Sequence, residues 1–155
     1  MIRQFRHQDA APCSNLIHAC LQDDPSYSFS LREKTRRFET AQAMSERARL
    51  YYVAVYESGD EILGLAGLDM NEIRLLCVSP EHRRIGIGRA LLEHLKAMVP
   101  GFLFSDMFVY SSQQAVSFYR ACGFVEKGPF ILDLYGEKLQ TIFMSHSTNP
   151  SHSRA

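Results

Sequence analysis

The sequence lacks net charge, long apolar runs and closely spaced cysteines, and each absence excludes a class of protein. Its 17 lysines and arginines balance 17 aspartates and glutamates, so no overall electric field favours nucleic acid or an anionic membrane. No apolar run approaches the roughly 20 residues of a membrane-spanning helix. The 4 cysteines show neither C-x-x-C nor metal-ligand spacing and lie in apolar contexts, which predicts buried, free thiols in a reducing compartment.

The remaining composition predicts one domain. The chain has 155 residues, of which 46% are hydrophobic, enough to form a core. We find no repeats and no linker, and we expect residues 1–145 to fold as a single domain. Residues 146–155 are small and polar, which predicts a disordered tail with incidental histidines. The first residues, MIRQFRHQD, have no signal-peptide core, so we expect a cytoplasmic protein.

The chain is organised around the stretch from Asn71 to Val99. Within it, Ile73 to Val78 is apolar and β-branched apart from Arg74, which predicts a central strand. A helix with one apolar stripe is predicted to follow and to end at Pro100-Gly101. The stripe consists of Ile87, Leu91, Leu95 and Met98.

The start of this helix departs from ordinary helix preferences. Helix amino termini favour acidic residues, because the peptide dipoles place partial positive charge there. This end instead carries two glycines, each costing roughly 1 kcal/mol relative to alanine in a helix, and several basic residues. They are His82, Arg83, Arg84, Gly86, Gly88 and Arg89. A solvated basic turn is the alternative, but a polyanion bound to backbone N–H groups and arginines explains both features together.

Turn and capping patterns predict the elements on either side. Asp9 is predicted to cap a helix ending near Gln22, and Ser111 with Gln114 to cap a helix ending at Cys122. The other strands are predicted at Ile2 to Arg6, Tyr51 to Glu57, Ile62 to Leu68, Phe102 to Tyr110, Phe124 to Leu134 and Lys138 to Met144.

A second helix is predicted from a capping box of Ser30 and Glu33 to about Ala48. Arginines alternate with glutamates, including Glu39, on its polar faces. Mixed charge of this kind favours a solvated face over a binding patch.

Two motifs resemble those of the GCN5-related N-acetyltransferases. The run Arg83-Arg84-Ile85-Gly86-Ile87-Gly88, between strand and helix, resembles the family signature Q/R-x-x-G-x-G/A. The segment AVSFYRACGF, from Ala115 to Phe124, resembles the family's A-x-x-F-Y-x-x-x-G-F segment. The resemblance extends from about Arg3 to Met144. It implies an α/β (α+β) fold with a mixed central sheet of about seven strands flanked by about four helices.

By this resemblance the cofactor is acetyl-CoA. Its pyrophosphate is expected on the backbone amides from Arg84 to Arg89, and its pantetheine arm on the central strand, which splays from its neighbour. An N–H group aimed at the acetyl carbonyl binds more strongly as negative charge develops there. Ser112 stands where the family often has asparagine and can still donate one hydrogen bond. The implied cofactor-binding residues are Leu76, Val78, Arg83, Arg84, Ile85, Gly86, Ile87, Gly88, Arg89 and Ser112.

The resemblance also implies two catalytic residues. Tyr119 matches the family's general acid, which protonates the leaving sulfur, although an aromatic that only packs is the alternative. Glu72 matches the glutamate that serves as the base in one branch of the family. The alternative interpretation is that Glu72 is a solvated residue of a hairpin. In that case Asp69 or a chain of water molecules would be the base. Cys77 is expected in the core, and His82 at the surface or on phosphate.

The acceptor is expected to be a primary amine, either small or on a peptide. Aromatic and carboxylate side chains are predicted around it, a combination that suits a cationic amine with some apolar surface. They are Tyr27, Phe29, Asp69, Glu72, Asp133 and Tyr135. We expect direct transfer in a ternary complex, by a monomer or homodimer without a metal. A non-catalytic module that binds or senses acetyl-CoA is the alternative function.

Overall fold

A seven-stranded mixed sheet with helices on both faces forms the structure, a computed structural model that describes residues 1–148. The strands are β1 (Ile2–Gln4), β2 (Tyr52–Ser58), β3 (Glu61–Asp69), β4 (Glu72–Val78), β5 (Asp106–Ser111), β6 (Val125–Leu134) and β7 (Glu137–Ser147). The helices are α1 (Ala10–Gln22), α2 (Phe29–Phe38), α3 (Ala41–Leu50), α4 (Ile87–Met98) and α5 (Val116–Ala121). The α/β fold and the seven strands are as predicted, and residues 1–148 contain five α-helices instead of about four.

The sheet has one weak junction, between β4 and β5. Its order is β1-β2-β3-β4-β5-β7-β6, and every neighbouring pair is antiparallel except β4 and β5. Those two parallel strands pair only at Glu72 with Phe108 and at Ile73 with Val109. Beyond Ile73 they separate, which confirms the splay that the family resemblance implied.

Two apolar cores hold the layers together. Met98, the last member of the predicted apolar stripe of α4, is 46% exposed, but the helix buries Leu91 and Leu95 completely on one face of the sheet. On the other face, Cys13 of α1 and Met44 of α3 are equally buried against β2 and β3. None of the helices within residues 1–148 is long and apolar enough to cross a membrane.

The prediction of one continuous second helix is wrong, because this part of the chain forms two helices, α2 and α3. The side chain of Ser28, not Ser30, caps α2 by accepting a hydrogen bond from the Leu31 N–H at 3.1 Å. Thr40 caps α3 in the same way, 3.1 Å from the Ala43 N–H. Two strong amino-terminal caps define two helices, and Glu39 lies in the break between them.

Two other predicted caps have different partners in the structure. The Asp9 carboxylate forms an ion pair with Arg3 at 2.8 Å and accepts the Arg6 N–H at 2.7 Å, so it does not cap α1. The Ser111 hydroxyl donates to the Ser112 carbonyl at 2.8 Å. A single 3₁₀ turn therefore precedes α5 in place of the predicted capping box.

The carboxyl-terminal strand is longer than predicted. β7 continues to Ser147, so the predicted tail boundary at residue 146 falls inside the strand. The His146 ring lies 5.3 Å from the Phe124 ring and packs against Gly123, so it is not incidental. Residues 149–155 of the predicted tail lie outside the described residues. β5 begins at Asp106, not Phe102, because a turn from Pro100 occupies the intervening residues.

We predict that Gly64→Ala destabilises the protein, because Gly64 is where α4 packs directly on β3. A Cβ there would lie 2.9 Å from Leu91 Cδ1, 3.1 Å from Ile87 Cγ2 and 3.2 Å from the Cys77 carbonyl oxygen. The free energy of unfolding in urea should fall by about 1–3 kcal/mol, the usual cost of overpacking. Gly101→Ala is the control, since its Cβ would meet nothing within 4 Å. Equal losses in the two variants would contradict this assignment.

Candidate active site

A cleft of about 1250 Å³ follows the gap between β4 and β5. This volume exceeds the roughly 300–1,000 Å³ of ordinary small-molecule pockets. Four groups of residues that the sequence predicted for the site line this cleft: the glycine loop, the edge of β4, Ser112 with Tyr119, and some of the side chains expected around the acceptor amine. They are Arg83, Arg84, Gly86, Ile87, Gly88, Arg89, Leu76, Val78, Ser112, Tyr119, Glu72, Tyr27, Asp133 and Tyr135. Phe29, Ile85 and Asp69 do not line it, and Phe29 is 80% exposed.

The glycine loop forms a backbone cradle at the start of α4. Arg84 and Gly86 both have positive φ angles, 65° and 94°, which turn the chain sharply before the helix. Gly86, the N-cap residue of α4, has no side chain to accept a hydrogen bond from the helix, which leaves the first N–H groups available to an anion. Gly88 allows close packing, since a Cβ there would lie 3.3 Å from the Phe118 ring.

The basic side chains around this cradle have different surroundings. Arg83 forms an ion pair with Asp23 at the end of α1, so part of its charge is already matched. Arg89 reaches the Ala121 carbonyl oxygen at 3.3 Å, which holds it beside α5. His82 Nδ1 lies 3.1 Å from the Ser79 hydroxyl, at the edge of the cleft. The Ile87 side chain is buried in the core and can contribute only its backbone to the cleft.

The open edge of β4 supplies a second row of backbone groups. The Ser79 N–H donates to the Leu63 carbonyl at 2.8 Å, on the β3 side. Because hydrogen-bonding direction alternates along an antiparallel strand, Leu76 and Val78 point their N–H groups away from β3 and toward the gap. These are the two residues that the resemblance assigns to a pantetheine arm and an acyl carbonyl.

Tyr119 lies at the floor of the cleft and is 5% exposed. Its ring is held edge-on between Phe118 and Phe124, with ring centres 5.2 Å away on each side. No hydrogen bond joins its hydroxyl to another residue of the described chain. Burial raises the pKa of Tyr119 well above that of an ordinary phenol. The hydroxyl is therefore protonated, and available as a donor, at every physiological pH.

Glu72 lines the cleft where β4 and β5 still pair. Its carboxylate forms an ion pair with Arg74 at 3.2 Å, and the Arg74 guanidinium lies 5.7 Å from the centre of the Tyr51 ring. Asp69 pairs with Glu72 across the β3–β4 hairpin but does not reach the cleft. Of the two carboxylates predicted as the base, Glu72 is the better placed.

A buried acidic residue beside the cleft was missed from the sequence. Glu39 was predicted on a solvated face, yet its side chain is 10% exposed. Its Oε1 accepts hydrogen bonds from Arg47 at 2.6 Å and from the Tyr135 hydroxyl at 2.8 Å. Thr40 is the residue from which this could have been predicted. Threonine is a favoured N-cap residue, so a helix that begins after Thr40 implies a break in the helix at Glu39.

The β6–β7 hairpin covers this end of the cleft. The Tyr135 ring stacks on Phe38 of α2 with centres 5.1 Å apart. Lys34 donates to the Tyr135 carbonyl at 3.1 Å and forms an ion pair with Glu137 at 3.1 Å. The hairpin tip is therefore attached to α2, and it holds the Tyr135 hydroxyl beside Glu39.

Two cysteines also line the cleft, which corrects the prediction that all four are buried. Cys13 is fully buried, whereas Cys20, Cys77 and Cys122 are partly exposed, and all four thiols are free. Cys20 Sγ lies 3.3 Å from the Val78 carbonyl oxygen. A hydrogen bond from the Cys77 thiol, helped by nearby Arg83, lowers the pKa of Cys20 to about 7.

Comparisons with known proteins find relatives that share the sequence pattern and the fold of this chain. A family model described as an acetyltransferase (GNAT) domain matches residues 19–133. The peptidyl-lysine N-acetyltransferase YjaB of Escherichia coli (strain K12) is 28% identical over 88% of this chain and 89% of its own. A GCN5-related N-acetyltransferase from Rhodopseudomonas palustris has a TM-score of 0.85, with 22% identity over 95% of this chain and 94% of that one. PaiA N-acetyltransferase from Thermoplasma acidophilum, in complex with coenzyme A, has a TM-score of 0.73, with 16% identity over 95% and 98%.

We predict that Cys20 is the most readily alkylated of the four cysteines near neutral pH. Its lowered pKa implies that the rate of iodoacetamide labelling rises with pH and is half-maximal near pH 7. Cys13 should stay unlabelled in the folded protein, because burial raises its pKa to about 12. Peptide mapping by mass spectrometry gives both rates. In Cys77→Ala, which removes the hydrogen-bond donor, the midpoint should move up toward about 8.5, and an unmoved midpoint would show that Cys77 is not the cause.

Proposed function

The chain belongs to the GNAT family of acetyl-CoA-dependent N-acetyltransferases, and we propose that it transfers an acetyl group directly to a cationic primary amine. One observation carries the proposal: a single cleft joins an anion cradle, an open strand edge and a buried phenol. Each is suited to a different part of acetyl-CoA. The amine is then expected at the opposite end, between β4 and the β6–β7 hairpin.

The residues present fit acetyl-CoA. The uncapped start of α4, with Arg84 and Arg89 beside it, is where the pyrophosphate would be held. The N–H groups of Leu76 and Val78 would hold the pantetheine arm and the acyl carbonyl. When bound, acetyl-CoA supplies an acetyl group activated as a thioester and a thiol leaving group. An N–H fixed by β4 needs no reorganisation to stabilise negative charge on that oxygen.

Tyr119 is proposed as the proton donor to the departing sulfur. Its hydroxyl has no competing partner among the described residues, and its raised pKa keeps it protonated at neutral pH. The two flanking phenylalanine rings fix its orientation. Ser112, three residues before Ala115, offers a further hydroxyl in the same part of the cleft.

Glu72 is proposed as the group that accepts the proton of the attacking amine, directly or through water. It lies in the cleft at the point where β4 and β5 separate. The ion pair with Arg74 orients its carboxylate. The amine must lose a proton before it attacks, and a carboxylate at this position is suited to take it.

The charge along the cleft favours a cationic acceptor. The glycine loop lines one end with arginines, whereas Glu39, Glu72 and Asp133 line the other. Arg47 and Arg74 match two of these carboxylates, and Asp133 has no ion-pair partner in the described part of the chain. The name of the Escherichia coli relative, a peptidyl-lysine N-acetyltransferase, supports a lysine side chain as the acceptor.

The direct test is release of the CoA thiol from acetyl-CoA with a panel of amines. We expect release with lysine-containing peptides and alkyl amines that are cationic at neutral pH, and slower release with amines that are uncharged. Binding of acetyl-CoA is measured in the same samples by calorimetry. Binding without release for any amine would contradict the proposal and favour a non-catalytic acetyl-CoA-binding module.

We predict that Tyr119→Phe lowers kcat by at least about 100-fold, the usual range for loss of a general acid. The KM for acetyl-CoA should change little, because the ring and its packing remain. Tyr56→Phe, on β2 and away from the cleft, is the matched control and should keep its activity. An unchanged kcat in Tyr119→Phe would show that the tyrosine only packs.

A further inference from the structure

Glu39 holds a carboxylate oxygen that the proposed chemistry does not use. Oε1 receives two donors, from Arg47 and Tyr135, while Oε2 is buried and has no hydrogen-bond partner among residues 1–148. A buried carboxylate oxygen without a donor is costly, so such oxygens in proteins usually have a role. Here the side chain lines the cleft and is nine-tenths buried.

The position of Glu39 is fixed by its backbone as well as by its side chain. Its carbonyl oxygen lies 2.9 Å from the Ser14 hydroxyl and 2.6 Å from His18 Nε2, both on α1. Its N–H donates to the Thr35 carbonyl at 2.8 Å, as the last bond of α2. The carboxylate is therefore preorganised, unlike the surface residue that the sequence pattern predicted.

A structural ion pair alone does not account for this geometry. An arginine whose only role is to neutralise a glutamate commonly binds both of its oxygens, as Arg3 does with Asp9 at 2.8 and 3.0 Å. Arg47 and Tyr135 instead share Oε1. The remaining oxygen, Oε2, receives no donor from residues 1–148.

The side chains around Glu39 suit an alkyl ammonium. Tyr27 and Tyr51 line the same cleft, lie close enough to Glu39 to interact electrostatically with it, and offer apolar ring surface to an aliphatic stem. Glu39 also acts electrostatically on Cys77 of β4, which places it close to the strand that carries Leu76 and Val78.

We propose that Glu39 Oε2 accepts a hydrogen bond from the ammonium group of the acceptor, and that Glu39 thereby selects a primary ammonium on an aliphatic chain. This inference rests on the proposed function, since it names the acceptor class for the same cleft. The roles are divided: Glu39 binds the cation, and Glu72 takes the proton. Arg47 and Tyr135 act as positioning residues through Oε1.

The test compares Glu39→Gln with Glu46→Gln, an exposed glutamate on α3. With a lysine peptide or Nα-acetyl-lysine amide, the KM of Glu39→Gln for the amine should rise about 10–100-fold, as expected for loss of a hydrogen bond to a charged group. Its KM for acetyl-CoA should stay within about twofold, because the glycine loop is untouched. Glu46→Gln should match the wild type in both constants.

A neutral acceptor separates recognition from structural damage. Hydroxylamine is uncharged at neutral pH, so its kcat/KM should be the same in Glu39→Gln and wild type. An equal loss with cationic and neutral acceptors, or no loss with either, would overturn the assignment.

If Glu39→Gln does not fold, as judged by circular dichroism, Glu39→Asp replaces it. Because its retracted carboxylate keeps the charge, we expect a smaller rise in KM with the same indifference to hydroxylamine.

Direct binding keeps the inference independent of turnover. Calorimetry measures Nα-acetyl-lysine amide binding to the wild-type and Glu39→Gln proteins in the presence of CoA. Weaker binding of the amide to the variant supports the role of Glu39, whether or not any amine is acetylated. A failure to acetylate any amine would overturn the proposed function but not this binding role. Equal binding would show that Oε2 is met by a buried water and not by the acceptor. Comparing the free amide with the lysine peptide identifies which source of the ammonium is preferred.

Discussion

The separation of β4 from β5 is the constraint on which the rest of the structure depends. Only two residue pairs join these parallel strands, and beyond them the backbone groups of β4 lack a partner strand on one side. In a closed sheet those groups would be matched, and the sheet would have no cleft. The unpaired edge of β4 forms an extended cleft with backbone donors along its length. The start of α4, the helix that follows this strand, lies at the same cleft.

The two ends of the cleft are built by different parts of the chain. The anion-binding end is local, because strand, loop and helix follow one another between residues 72 and 98. The end proposed for the acceptor instead brings together the break between α2 and α3, the first residues of β4 and the tip of the β6–β7 hairpin. This division fits a family in which one cofactor is shared while acceptors differ.

Buried polar groups are distributed to match this division. Tyr119 is kept neutral by its apolar surroundings, as the proposed role of proton donor requires. Glu39 is held by a guanidinium and a phenol on one oxygen only, which suits the proposed binding of an ammonium group. Both side chains are nine-tenths or more buried, and their different partners suit them to different chemistry.

The sequence by itself determined what depends on neighbours along the chain. The unusual basic, glycine-containing start of α4 and the segment around Tyr119 identified the family, and the strand periodicities located all seven strands. Helix caps were predicted less well, because Ser28 takes the place of Ser30 at α2, and the Asp9 carboxylate binds Arg3 and the Arg6 N–H instead of capping α1. Only the tertiary structure decided the position of the Glu39 side chain, because Tyr135, which donates to it, lies 96 residues away. The same is true of the contact between Cys20 and Cys77, which joins α1 to β4. Burial and long-range hydrogen bonds, which no local pattern records, place Glu39 in the wall of the cleft and not on the solvated helix face that the sequence predicted.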